Sequence, residues 1–361
     1  MKILITPPAT RREDAASRIL VQNMIDLFRQ NGHAVSVCAP EDSRCRNTEL
    51  FPAARPKVSF FHRRSEGAGK TYEEYLYSVG ALDRDYLTAD TETIRKAIAA
   101  FQPDLMIDDG RAAALIASRL DNIRIFTLVS APMIRTRRFP AECINGLNEV
   151  LTSYRLEQVL QMRSLLETAS RRIAFSPPAV QPFPDDFPIT RIGSILPYPE
   201  AAAPTDKVVI LLHESSYKPK QLRKMITEAF LGAPYPVEAW YPDCLTAKER
   251  NLHFLPAMNY QTIKDALVCI HDGSDALFNA CLSAGVPQLI INNGSWQKNW
   301  NAYAAERLGT GVVLAEDNLS MESLYENYRR LVADDYYRQQ ARFLADQTAA
   351  MGSLEDIMQY F

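Results

Sequence analysis

Glycine is scarce in this chain, 14 of 361 residues, about half of the usual level of roughly 7%. That excludes collagen-like and glycine-rich low-complexity sequence, and it makes the place of each glycine informative. No charge of one sign dominates: 40 basic residues face 43 acidic ones, a net charge of −3. There is no global basic field for nucleic acid or an anionic membrane surface. No apolar run reaches the roughly 18 residues of a membrane span, and the opening MKILITPPAT lacks the apolar core of a signal peptide. The six cysteines (Cys38, Cys45, Cys143, Cys244, Cys269, Cys281) form no CxxC pair. They read as reduced, mostly buried thiols of a cytoplasmic protein. HExxH, EF-hand and GxSxG patterns are missing too, which removes the zincin, calcium-loop and hydrolase-elbow signatures.

What is present is alternation of strand-like and helix-like segments. Lys2–Thr6 is a short apolar strand stopped by Pro7-Pro8. Residues 14–31 have helical apolar spacing with Gly32 placed as a C-cap, and 33–38 form a second strand. The pattern recurs with strand 104–108, helix 111–120, strand 123–129, one long helix over 143–169 and strand 172–176. Eight of the 22 prolines lie between Pro177 and Pro204, so that stretch is not helical. A second unit follows: strand 207–212, helix 218–230, strands 237–240 and 252–255, helix 259–266, strand 267–270, helix 275–284, strand 287–291, helix 297–307, strand 311–314, then helices 320–332 and 335–349. Such alternation predicts an α/β protein with two mostly parallel sheets covered by helices. The expected domains are 1–196, a linker at 197–206, 207–350 and a tail helix at 351–361. Ligands are expected at the carboxyl ends of the strands, in a cleft between the two domains.

Several motifs are weaker than they look. Gly67-Ala-Gly69-Lys70-Thr71 has Arg64 where a phosphate-binding loop needs its first glycine. The pairs Asp108-Asp109, Asp185-Asp186 and Asp334-Asp335 read as caps and solvated loops, so no metal is expected. The segment 267–311 is more specific. It holds a strand, the polar turn His271-Asp272-Gly273-Ser274, a helix from Asp275, the break Gly285-Val286-Pro287, a strand to Asn292, and a helix from about Gln297 to Asn301 and beyond. A turn of small residues feeding a helix N-terminus suits a phosphate group. Gly273 allows close backbone approach and His271 offers a further donor. A plain strand–turn–helix with a satisfied histidine fits the same residues.

The run His271-x-Gly273…Gly285-Val286-Pro287-Gln288…Asn301-Ala302…Gly309-x-Gly311 resembles the donor motif of glycosyltransferases of the GT-B fold, plant and antibiotic type. These enzymes move sugars from UDP- or dTDP-sugars to lipophilic acceptors. The likeness extends to His253-Phe254-Leu255-Pro256, to strand 208–212 with Ser215-Ser216 after it, and to the Rossmann-like opening that ends at Gly32-His33. It implies two Rossmann-like domains facing across a cleft, the first for the acceptor and the second for the nucleotide sugar. By position it assigns Phe254 to base stacking, and Ser215, Ser216, His271, Gly273, Ser274, Asp275 and Ala276 to the diphosphate. Asn279 stands where plant members carry a ribose-binding glutamate, which matches the dTDP-using branch. Gln297 and Lys298 fall on the sugar-binding pair, with Lys298 in the place of a glutamine. The catalytic histidine position falls at about Ser17, so the base is sought nearby at Asp14, which also reads as a first-turn helix carboxylate. Tyr72, Tyr75 and Met133 are the acceptor candidates, although aromatics of this segment fit a core equally.

The function implied is transfer of a hexose or deoxyhexose to a small hydrophobic, natural-product-like acceptor, inverting, without metal or resident cofactor. The expected partners are the nucleotide sugar, the acceptor and a second chain as homo- or heterodimer, with no nucleic acid and no membrane span. The missing histidine also fits a non-catalytic auxiliary protein that activates a partner transferase.

Overall fold

A computed structural model describes residues 1–8, 15–41, 43, 45–58, 71–135, 138–193, 202–203 and 205–361. It divides into two compact units, one of Met1–Leu196 with Leu354–Phe361, the other of Pro197–Ser353. The Gly67–Thr71 segment falls outside the described residues up to Lys70.

In the first unit the strands are β1 (Lys2–Thr6), β2 (Ala34–Pro40), β3 (Glu49–Ala53), β4 (Leu105–Asp108), β5 (Ile125–Leu128), β6 (Arg171–Ala174) and β7 (Thr190–Arg191). The helices are α1 (Ala15–Gln30), α2 (Tyr72–Ser78), α3 (Arg84–Phe101), α4 (Ala112–Leu120), α5 (Glu142–Ser153) and α6 (Met162–Leu166). The sheet order is β3-β2-β1-β4-β5-β6-β7 and every pairing is parallel. The order reverses between β1 and β4, the position at which doubly wound sheets open a crevice. Because the strands are covered on both faces they are near-continuous apolar runs: Ile3, Leu4 and Ile5 are buried, as are Leu105, Met106 and Ile107. Pro52 is tolerated because β3 is an edge strand paired only to β2. The chain's last residues return to this core as a 3₁₀ turn, Leu354–Tyr360. Leu354 and Ile357 are buried with Ile25 and Phe28, and the Phe361 ring lies 5.3 Å from that of Phe28.

One long helix over 143–169 is not what the structure shows. It breaks at Tyr154, and Arg155 takes a left-handed φ of 58°. The reason is local: Thr152, Ser153 and Tyr154 are weak helix formers, and the Asn148 amide both donates to Val159 O and accepts from Val159 N at 2.9 Å, stitching the intervening loop. Residues 41–103, left unparsed by periodicity, supply β3, α2 and α3.

In the second unit the strands are β8 (Val208–Leu211), β9 (Val237–Trp240), β10 (Ala247–Glu249), β11 (Leu252–Phe254), β12 (Val268–His271), β13 (Gln288–Asn292) and β14 (Gly311–Ala315). The helices are α7 (Pro219–Phe230), α8 (Asp275–Ala284), α9 (Trp296–Leu308), α10 (Met321–Ala333) and α11 (Asp335–Ala349), and the helix expected over 259–266 is a single 3₁₀ turn, Tyr260–Ile263. The order is β10-β11-β9-β8-β12-β13-β14, parallel except for the β10–β11 edge pair. Here the reversal lies between β8 and β12. The fully buried runs Val208–Leu211 and Val268–His271 form the centre. α9 stops at Gly309, whose φ of +67° and whose contact with the Tyr336 ring leave no room for a Cβ.

Candidate functional site

The loops that leave the carboxyl ends of β8 and β12 are joined by a network of charged and polar side chains. His271, the last residue of β12, is wholly buried. Its Nδ1 accepts from Gly273 N–H at 3.1 Å, so the ring proton sits on Nε2, which donates to Gln288 Oε1 at 2.9 Å. Burial pushes its pKa down to about 4, so the ring is neutral near pH 7. This corrects the expectation that His271 offers a donor to a phosphate: both nitrogens are committed, and the ring fixes the turn. Gly273 has φ +76°, and a Cβ there would lie 2.9 Å from Ile290 Cγ2. Only glycine fits this turn without strain.

Asp272, also buried, holds the next step. Its Oδ1 accepts from Ser274 N–H at 3.2 Å, and its Oδ2 accepts from Glu214 N–H at 3.1 Å and from Lys298 Nζ at 2.8 Å. Burial by itself would raise its pKa, but the Lys298 ammonium outweighs that and holds it below the usual carboxylate range. Lys298, buried in the first turns of α9, gives a second bond to Glu214 Oε2 at 3.1 Å. Desolvation would lower the lysine pKa, and Asp272 with Glu214 raises it instead. The lysine is charged and spent on two carboxylates, which corrects its assignment to a sugar hydroxyl. Gln297 donates to Asp275, and Asn301 Nδ2 donates to Gly273 O at 2.9 Å and to Asp275 Oδ1 at 2.6 Å. The amino end of α9 thus grips the turn before α8.

What this scaffold presents is the amino end of α8. Ser274 is its N-cap residue, yet the side chain makes no capping bond, and its buried Oγ has no hydrogen-bond partner among the described residues. The first-turn N–H groups, Ala276 among them, have no intrahelical acceptor by helix geometry. Orphan donors, a helix dipole and an unpartnered hydroxyl suit an anion. Asn279, one turn on, bonds Asp275 O at 2.8 Å through its amide. Beside this lies the turn after β8. There Ser215 Oγ donates to Glu316 Oε1 at 2.7 Å and Ser216 N–H to the same oxygen at 2.8 Å. The sequence-predicted Ser215 and Ser216 both lie in this turn and both bond Glu316. Glu316, 100 residues away, was missed, as was Asp272. The one sequence signal for each is an acidic residue just past the end of a parallel strand.

Phe254 does not offer a stacking face. Its ring is wholly buried in the core, 6.3 Å from Tyr241 and under the Arg223 guanidinium at 4.5 Å. The periodicity that puts an aromatic residue at the end of β11 turns its ring inward.

In the first unit, Tyr72 and Met133 meet at Gly110, just past β4. Tyr72 Oη donates to Gly110 O at 2.8 Å, and a Cβ on Gly110 would lie 3.3 Å from Met133 Cε. Tyr72 is buried, and Tyr75 stacks on it at 6.5 Å. Nearby Arg111 is buried and pairs with Asp90, while the buried Asp108 accepts from Arg111 N–H and Thr127 Oγ1. The candidate base Asp14 lies outside the described residues. Ser17 falls within α1. Among the described residues no group of three His, Cys, Asp or Glu side chains is placed to hold a metal ion, and no helix is long and apolar enough to cross a membrane.

Comparison with known proteins converges on the same chemistry. Residues 244–360 match the family model of the erythromycin biosynthesis protein CIII-like C-terminal domain. A PGL/p-HBAD biosynthesis glycosyltransferase of Mycobacterium tuberculosis is 24% identical, over 73% of this chain and 70% of the relative. Two solved structures are similar in fold over nearly the whole length. The calicheamicin glycosyltransferase CalG4 has a TM-score of 0.76 at 19% identity, covering 99% of this chain and 97% of that one. The glycosyltransferase VinC, in complex with dTDP, has a TM-score of 0.71 at 18% identity, covering 100% and 98%. The fold is GT-B, and the chain is a glycosyltransferase that is similar to these antibiotic-type enzymes.

Proposed function

We propose that this glycosyltransferase moves a hexose or deoxyhexose from a dTDP- or UDP-linked donor to a small hydrophobic acceptor of natural-product type, with inversion and without a metal ion. The observation that carries the reading is the amino end of α8, where the buried Ser274 hydroxyl lies unpartnered beside first-turn N–H groups. Binding of dTDP by the similar protein VinC supports the same choice of ligand.

In this reading one donor phosphate rests on Ser274 and the first turn of α8, including Ala276. His271, Asp272, Lys298 and Asn301 do not touch it. They hold Gly273 and Ser274 in the conformation that offers those donors, so the electrostatic stabilisation is preorganised before the reaction. The acceptor oxygen attacks the anomeric carbon from the face opposite the diphosphate. The carbon–oxygen bond to the diphosphate breaks, and its electron pair stays on the phosphate oxygen. The helix end then stabilises the charge that develops there, and each well-placed donor of this kind is worth about 3 kcal/mol. The acceptor's proton is assigned to Asp14, and the acceptor itself to the first unit, near Tyr72, Tyr75 and Met133.

Calorimetric titration with dTDP and UDP tests the reading. Saturable binding of one or both is expected, weakened at least tenfold by Ser274→Val. Absence of binding by either nucleotide would remove it.

A further inference from the structure

The turn after β8 already holds an anion, and that anion belongs to the protein. Ser215 Oγ and Ser216 N–H converge on one oxygen of Glu316, at 2.7 and 2.8 Å, and Ser215 Oγ also accepts from Tyr217 N–H at 3.2 Å. Successive donors aimed at one oxygen make an anion-binding concavity. Glu316 is buried, yet its backbone is anchored independently: Tyr217 Oη donates to Glu316 O at 3.2 Å. That bond holds the main chain of Glu316 separately from its carboxylate.

This turn adjoins the one that leads into α8. Glu214 N–H bonds Asp272 Oδ2 at 3.1 Å, and Lys298 ties both residues together. Glu214 directly precedes Ser215, and Asp272 lies two residues before Ser274. Two groups of donors thus neighbour each other, those at Ser274 and the amino end of α8 and those that Glu316 engages. The nearby ammonium of Lys298 is already shared by Asp272 and Glu214, so it offers little to offset a second phosphate placed next to the Glu316 carboxylate.

We infer that Glu316 is an internal stand-in for the second phosphate of the donor and sets how strongly the site prefers a diphosphate over a monophosphate. The inference rests on the donor reading above and adds to it the order of events. One phosphate docks at Ser274. The other gains Ser215 and Ser216 only when the Glu316 carboxylate swings away. Part of the diphosphate's binding energy goes into displacing the glutamate, so the wild-type chain discriminates weakly between nucleoside mono- and diphosphate.

The experiment compares wild type, Glu316→Ala and Glu316→Gln in titrations with dTMP and dTDP. In Glu316→Ala, dTDP is expected to bind about tenfold tighter, with dTMP changed less than twofold. Glu316→Gln keeps the shape and an oxygen acceptor but removes the charge. It is expected to move in the same direction by a smaller factor, and it carries the test if the alanine variant does not fold. Equal shifts for both nucleotides, weaker dTDP binding, or no change overturn the inference while leaving the donor reading standing. If folded wild type and variants bind neither nucleotide, the donor reading fails and this inference with it.

Discussion

Lys298 Nζ lies 2.8 Å from Asp272 Oδ2, and both side chains are almost entirely buried. Two ions hidden from water are tolerated here because Asp272 also accepts two backbone N–H groups and Lys298 has a second carboxylate in Glu214. Removing one partner leaves the other charge buried and unpaired, which costs about 3–5 kcal/mol. Lys298→Met is therefore expected to lower stability by that order in urea unfolding, followed by the fluorescence of Trp296 and Trp300 in α9. Asp272→Asn added to Lys298→Met removes the stranded carboxylate and restores most of the loss. A double variant no more stable than Lys298→Met would show that the pair is not the coupling element.

The buried, neutral His271 makes stability depend on pH. Its folded pKa is pushed down by burial to about 4 from an ordinary 6.5, so the unfolded chain binds the proton more readily. Its contribution is complete above about pH 6.5 and is lost as pH falls towards 4, by roughly 3 kcal/mol in all. The stability of wild type relative to His271→Gln, which has no proton to gain, should fall as unfolding is measured from pH 7.5 down to 4.5. A difference that stays constant over this window would show that the ring does not carry that dependence.

Asp108 has the opposite sign. Burial raises its pKa to about 7 from 3.8, against the lowering effect of Thr127 and Arg111 N–H. The folded chain then binds a proton that the unfolded chain releases between about pH 4 and 7. This contribution to stability is present below about pH 4 and fades as pH rises through 7. Asp108→Asn, measured against wild type at pH 5 and pH 8, is expected to lose less stability at pH 8 than at pH 5. An equal loss at both would show that the carboxyl does not titrate in that range.

Much of the second unit was legible in the sequence because its signals are local. Buried parallel strands are continuous apolar runs, as at 208–211 and 268–271, and Gly285-Val286-Pro287 marks a helix end and a strand start within three residues. The turn at Gly273 was legible for the same reason, since a positive φ leaves a glycine behind. The partners of that turn were not. Glu316 meets Ser215 across 101 positions and Lys298 meets Asp272 across 26, and nothing at either end of such a pair announces the other. The direction of side chains was also hidden. A histidine and a phenylalanine at strand ends, His271 and Phe254, both suggest ligand contact by type, and both point into the core. The long helix expected at 143–169 failed through an Asn148–Val159 stitch that periodicity does not register.

Gly273→Ala separates scaffold from ligand. The new methyl group meets Ile290 Cγ2 at 2.9 Å, and the backbone must keep φ near +76° with a Cβ present. Forcing a non-glycine residue into this region costs of order 1–3 kcal/mol. Part of that strain is relieved if the turn relaxes, which would pull Gly273 N–H away from His271 Nδ1 and shift Ser274 off the end of α8. The loss in stability is therefore expected to be modest, at the low end of that range, while dTDP affinity falls at least tenfold. The two quantities are read from the same protein preparation, stability by urea unfolding and affinity by calorimetry. A full stability loss with dTDP binding unchanged would mean that the turn holds its shape under strain, whereas a small stability loss with dTDP binding unchanged would mean that the turn relaxes and that Ser274 is not the phosphate contact.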